Sequence, residues 1–137
     1  MLTALLLACA MVAVPAAATA QGAPQSASQD LAAYRWKARP LIVVAPTAEA
    51  AAFRRQMTLI QADRPGLAER DMVVLTVTTP DDPLRRTLNV PAGAFQVILV
   101  GKDGHIAERW TAPAELSSAF ALIDRMPMRR EEMRRGQ

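Results

Sequence analysis

Three apolar runs set the rhythm of the chain, and helical patterns separate them. Leu41–Ala45 (LIVVA) is continuously apolar and bracketed by Pro40 and Pro46, the pattern of a strand covered on both faces. Met72–Val77 (MVVLTV) reads as a second buried strand, and Gln96–Gly101 (QVILVG), rich in β-branched residues, as a third. Lys102-Asp103-Gly104-His105 follows. An Asp-Gly between two strand-like runs predicts a hairpin, because glycine accepts the positive φ of such turns. The partner strand, His105–Trp110, alternates, with Ile106, Glu108 and Trp110 expected on one face and Ala107 and Arg109 on the other.

Between the strands the period changes. Asp30 can cap a short helix through Tyr34. Thr47 can cap a longer one, with Glu49 in its first turn and Phe53, Met57 and Ile60 recurring at i, i+4, i+7 on the sheet side. Arg54, Arg55 and Gln61 then look outward, and Pro65-Gly66 stops the helix. Thr79–Pro83 is a loop able to cap a short helix carrying Leu84 and Leu88, and Pro91-Ala92-Gly93 breaks it. Pro113 suits the first turn of a last helix whose stripe is Leu116, Phe120 and Ile123, and Pro127 ends or kinks that helix. The order is β-α-β-α-β-β-α. Strands separated by helices imply a parallel core, to which the hairpin adds an antiparallel strand. The fold class is therefore α/β, a four-stranded mixed sheet with helices on both faces.

Composition adds an address. Residues 1–20 hold no charged side chain, have an apolar core from Leu2 to Val14 and end Ala18-Thr19-Ala20, which predicts a secretory signal peptide removed before Gln21. The alternative is a retained anchor, although the apolar run is short of the roughly 20 residues of a membrane span. Residues 21–29 read as a flexible linker, 30–127 as the domain and 128–137 as a charged tail. Cys9 is the one cysteine and lies in the signal, so an exported mature chain would carry neither a disulfide nor a redox thiol. The net charge is +3, and 14 of the 16 basic residues are arginines without an ordered basic and aromatic stripe. Nucleic acid is not an expected partner.

Two resemblances follow from particular residues. The strand ending in Gly101, with Lys102-Asp103-Gly104 and the next strand, resembles the C-terminal hairpin of thioredoxins and peroxiredoxins. Several segments resemble the domain of unknown function 4174 family, thioredoxin-like and also found in extracellular sushi-repeat and coiled-coil-named tumour-downregulated proteins. They are Tyr34-Arg35-Trp36-Lys37 with Arg39-Pro40, Glu69-Arg70-Asp71, Val97–Gly104, Ile123-Asp124, Met126–Arg130 and Glu132-Met133. The resemblance implies a thioredoxin-like fold and an exported location, and no activity. It also implies that the place of a redox Cys-x-x-Cys is taken by Pro46-Thr47-Ala48-Glu49, and the place of the usual cis-proline by Phe95 or Gln96. Thr47 is not a redox group, so thiol–disulfide exchange and thiol peroxidase chemistry are not expected.

Other chemistry is thin. His105 is the single histidine, beside a turn, and the serines lie in the linker or on the last helix without a nucleophile elbow. The sequence assigns no catalytic residue, no metal site and no cofactor. Two candidate sites remain. Thr47, Glu49 and Gln96 would line a pocket at the carboxyl ends of the strands, suited to a small ligand or an enzyme. Tyr34, Arg35, Trp36 and Lys37, with Met128, Arg129 and Arg130, mix aromatics, Met and Arg as interface patches do. They would bind a protein partner in the envelope or outside the cell. The competing readings have Tyr34 and Trp36 packing on the sheet edge, and the tail as a solvated helix with Glu131 and Arg135 pairing at i,i+4. The oligomeric state stays open.

Overall fold

The computed structural model describes residues 25–26 and 30–136. The expected signal peptide, Cys9 and most of the linker lie outside the described residues. The elements in chain order are β1 (Gln25–Ser26), a 3-10 turn (Leu31–Tyr34), β2 (Arg39–Val44), α1 (Ala51–Ala62), α2 (Arg64–Glu69), β3 (Met72–Val77), α3 (Pro83–Thr87), β4 (Gln96–Val100), β5 (Ile106–Trp110), α4 (Leu116–Asp124) and α5 (Pro127–Arg135). They build one mixed sheet of order β1-β3-β2-β4-β5. The four long strands are those the three apolar runs and the hairpin predict. The two-residue β1, inside the stretch read as linker, adds a fifth at the β3 edge.

Only part of the sheet is parallel. β2 runs parallel to β3 and antiparallel to β4, which runs antiparallel to β5. The third core strand thus departs from the expected direction, and its connection explains why. Val44 lies opposite both Val77 and Gln96, so β3 ends and β4 begins at the same end of the sheet. The link between them holds a single helix of five residues, about 7–8 Å long. A six-residue strand spans about 20 Å, so this helix cannot carry the chain back to the far end.

The apolar runs are buried as the pattern requires. Ile42, Val44, Leu75, Val77, Ile98 and Val100 face α3, with Leu84, Leu88 and Val90 over them. Leu41, Val43, Val97 and Leu99 face the other way, under Ile60, Leu67, Leu116, Phe120 and Ile123. Each such side chain contributes about 1.5–3 kcal/mol by leaving water.

Several helix boundaries differ from the sequence reading, each for a local reason. Thr47 does not cap α1: Ala50 is the N-cap, and the helix begins at Ala51 after a turn in which the Ala50 N–H donates to the Thr47 carbonyl. Pro65-Gly66 does not end the helical region. Asp63 caps a new helix, accepting from the Gly66 N–H, with Pro65 in the first turn where its missing N–H costs nothing. A Cβ on Gly66 would meet the Phe120 ring at 2.7 Å, so this glycine is what lets α2 and α4 touch. Pro113 precedes α4 rather than starting it. Ala114 is held by buried Gln56, which accepts its N–H at 2.7 Å and donates to its carbonyl at 3.1 Å. Pro127 begins a further helix, α5, so the segment from 128 read as a tail is helical to Arg135. Ile106 lies opposite Val100 and Glu108 opposite Leu99. The extra residue, Ala107, is a bulge that breaks the expected Ile106–Glu108–Trp110 face. Among the described residues no helix is long and apolar enough to cross a membrane.

Candidate functional site

The two ends of the sheet differ in kind. At the end where β2 and β3 finish, Thr47 and Glu49 are exposed on the loop before α1. Half-buried Gln96 accepts from Arg109 Nη1 at 3.1 Å. A residue the sequence reading passed over dominates this end. Arg85 of α3 is 4% exposed and donates to the carbonyls of Ala45, Thr79 and Pro91. It ties the end of β2 to the loops on either side of α3.

The other end gathers charge. Arg39, at the start of β2, is fully buried. Its Nη1 and Nη2 grip the Glu132 carboxylate of α5 at 3.2 and 3.1 Å, and Nη1 also reaches the Arg70 carbonyl at 2.8 Å. Lys102, entering the β4–β5 turn, donates to Glu132 at 2.6 Å and to Asp71 at 2.8 Å. Arg70 holds Asp124 with two bonds, at 3.0 and 2.9 Å, and lies over the Phe120 ring at 4.2 Å. Arg129 is 6% exposed. It reaches Asp124 at 3.2 Å and the Glu69 carbonyl and carboxylate at 3.0 and 3.1 Å. Arg39, Arg70, Lys102 and Arg129 thus meet Glu69, Asp71, Asp124 and Glu132, charge for charge.

The electrostatics follow the geometry. Burial pushes the Glu132 carboxyl up, but hydrogen bonds from Arg39 and Lys102 outweigh it and hold the group below its ordinary value. The Arg70 guanidinium, aided by Arg129, holds Asp124 below its ordinary value against the pull of burial. Asp124 in turn raises Arg70. Arg129, read from the sequence as part of an exposed patch, therefore faces inward. Its reach is spent on α2 and α4, and α5 is stapled to the domain through it and Glu132. Arg130 and Met128 remain on the outer side, and Glu131 pairs with Arg134 and Arg135 as a surface helix does.

Around this network lies an apolar rim. Trp36 (61%), Ile106 (41%) and Met128 (37%) are the exposed large apolar residues among those described. All three border the Gly101–His105 turn end. Trp36 does not pack on the sheet edge as one reading had it, whereas Tyr34 does rest against the α3-side core. Trp36 adopts a left-handed φ of 65°. Its N–H donates to the Lys102 carbonyl at 2.7 Å and the next N–H returns to Tyr34, which turns the indole outward. Arg35 sits 5.6 Å over that ring and donates to the Asp103 carbonyl at 3.0 Å. Exposed Lys37 follows. The turn itself is a five-residue loop: Gly101 N–H donates to the His105 carbonyl, and Gly104 takes φ 86°.

Asp103 and His105 form a ridge between two depressions. One, of about 220 Å³, lies toward Leu31 and Arg35. The other is a cleft of about 250 Å³ whose lining includes Arg39, Ile106, Ala107, Met126 and Met128. Tyr34–Lys37 and Met126–Arg130 are thereby brought to the same end, whereas Thr47, Glu49 and Gln96 lie at the opposite one. Arg39, Lys102 and Glu132 were missed as site residues. Their signal was available: each is a charged residue next to an apolar run or within a segment carrying the family resemblance.

Comparison with known proteins places the chain. A family model described as "Domain of unknown function (DUF4174)" matches residues 30–132. The rat sushi repeat-containing protein SRPX is 31% identical over 114 residues, covering 71% of this chain and 25% of that protein. The zebrafish coiled-coil domain-containing protein 80 is 24% identical over 140 residues, covering 80% of this chain and 16% of that protein. The chain thus spans about a quarter or less of the length of these relatives. Among solved structures, thioredoxin peroxidase I of Plasmodium yoelii aligns with a TM-score of 0.61 at 11% identity, covering 74% of this chain and 79% of that one. The reduced 2-Cys peroxiredoxin of Plasmodium vivax gives 0.60 at 10% identity, over 75% and 84%. The fold is thioredoxin-like.

Proposed function

We propose a function from one premise: the chain belongs to the family of Domain of unknown function (DUF4174). It is an exported protein-binding module whose partner face is the end of the sheet around the Gly101–His105 turn. Export rests on the uncharged, apolar residues 1–20 and their Ala18-Thr19-Ala20 ending. Binding rests on one observation: the exposed large apolar residues among those described, Trp36, Ile106 and Met128, border one turn on an ion-paired base. Scattered apolar residues are ordinary on a protein surface, whereas a gathered set beside a cleft marks an interaction site. At the opposite end Thr47 and Glu49 are exposed and buried Arg85 is committed to three main-chain carbonyls.

The test is a cross-linking pull-down from the native envelope with the wild-type chain, Trp36→Gly and Met128→Asp as baits. A partner captured by wild type and lost from both variants is the expected result. Equal capture by all three would refute the assignment of the face.

A further inference from the structure

The cleft beside the Gly101–His105 turn gathers donors that suit a soft metal ion. Met126 and Met128 flank Pro127 at the start of α5, and both line the cleft; His105 lines it from the turn. The three donors step from inside to outside. Met126 is half-buried, Met128 is 37% exposed and the His105 side chain is 80% exposed. An ion arriving from water thus finds the imidazole at the surface and the thioethers deeper in.

Asp103 prepares the imidazole. Its Oδ1 accepts from the His105 main-chain N–H at 3.0 Å, and its Oδ2 lies 3.4 Å from His105 Nδ1. A carboxylate beside one ring nitrogen draws the ring proton to that side and leaves the other, Nε2, to bind a metal. The cations of the lining are already paired. Lys102 donates to Glu132 and Asp71, and Arg39 grips Glu132, so both add little repulsion.

The donor set decides the ion. Among the described residues no group of three or more His, Cys, Asp and Glu side chains could hold a metal ion, as Zn²⁺ or Ca²⁺ would need. Two thioethers and one imidazole match Cu(I) instead, the soft ion that methionine sulfur selects. The geometry points to Cu(I) binding by Met126 Sδ, Met128 Sδ and His105 Nε2, with Asp103 positioning the ring. This site goes beyond the partner-face reading and does not depend on it.

The test titrates the full 137-residue chain with Ag(I), a redox-inert ion of similar softness, and with Cu(I) under anaerobic conditions. Cys9→Ser is carried throughout so that no thiol competes. In protein labelled with ¹³C at the methionine methyls, one equivalent of Ag(I) should move Met126 and Met128 together with the His105 ring signals. Met57, Met72 and Met133 should stay in place. Met126→Leu, Met128→Leu and His105→Gln should each weaken Cu(I) binding about tenfold or more, measured against a chromophoric chelator. Leucine keeps the volume of methionine, circular dichroism confirms each fold, and Met133→Leu should bind as wild type. Asp103→Asn should weaken binding by a smaller factor and move the His105 ring ¹⁵N signals toward the other tautomer. No ion bound, shifts confined to other methionines, or unchanged affinity in Met126→Leu and His105→Gln overturns the inference. Any of these leaves the partner face standing, because Trp36→Gly removes no metal donor.

Discussion

Substituting Glu132→Gln tests whether α5 is part of the domain or an appendage to it. The Arg39 side chain is 1% exposed and Glu132 23%. Removing one partner of a buried pair strands the other charge, at about 3–5 kcal/mol. The partial exposure of Glu132, and the retained Lys102–Asp71 contact, reduce this to about 2–3 kcal/mol. Glutamine is nearly isosteric, but its NH₂ would face one guanidinium nitrogen donor to donor, so little is recovered. At about 4–8 °C per kcal/mol for a domain of this size, the melting temperature should fall by about 10–20 °C. The assay is thermal unfolding at neutral pH, followed by circular dichroism, with urea titration for the free energy. Glu131→Gln on the same helix is the control. Its partners Arg134 and Arg135 are 73% and 75% exposed, so the cost should stay near 0.5 kcal/mol or less. Pairing Arg39→Met with Glu132→Leu removes both charges and should restore part of the loss; Lys102 then keeps only Asp71, and the Arg70 carbonyl loses the donor that Arg39 supplied. A fall below about 4 °C for Glu132→Gln, or equal falls for the two glutamates, would refute the network as the staple of α5.

Further outcomes follow from other contacts. Glu132 and Asp124 are held below their ordinary values of 4.5 and 3.8. Depressed carboxylates bind protons more weakly folded than unfolded, so their contribution is fully present above those ordinary values. It should be lost as pH falls below them through the folded-state values, and in Glu132→Gln the urea midpoint should depend less on pH in that acid range. Gly66→Ala sets a Cβ 2.7 Å from the Phe120 ring and should cost about 1–3 kcal/mol by overpacking, read from urea unfolding; an unchanged midpoint would show that α4 yields freely. Trp36→Gly relieves a left-handed φ worth about 1–2 kcal/mol, offset by about 0.5–1 kcal/mol of added chain entropy. Stability should hold or rise slightly while partner capture falls, and a large loss of melting temperature would make Trp36 structural instead.

Trp36 shows why strand positions are readable in this chain and site positions are not. Leu41–Val44 reads as a strand covered on both faces because the run is short, β-branched and bracketed by Pro40 and Pro46. The same rule, met by Met72–Leu75 and Val97–Val100, placed the strands at Met72–Val77 and Gln96–Gly101. Trp36 obeys no such rule: amphipathic rings usually pack, and its outward turn depends on a hydrogen bond to Lys102, 66 positions further along the chain. Arg39 is harder still. A buried arginine cannot be inferred from its neighbours, since what makes it tolerable is Glu132, supplied by α5 from the far end of the chain. Ala107 looked like an ordinary member of an alternating strand until the bulge at Leu99/Val100 broke the period. Each missed position owes its role to a partner distant in sequence, which a periodicity cannot carry. Yet the segments bearing the family resemblance supplied every member of the ion network, from Arg39 through Glu69-Arg70-Asp71 and Lys102 to Asp124, Arg129 and Glu132. What those segments share is a meeting place in space. That place is the end of the sheet bearing the cleft, away from the strand ends where a redox thioredoxin works.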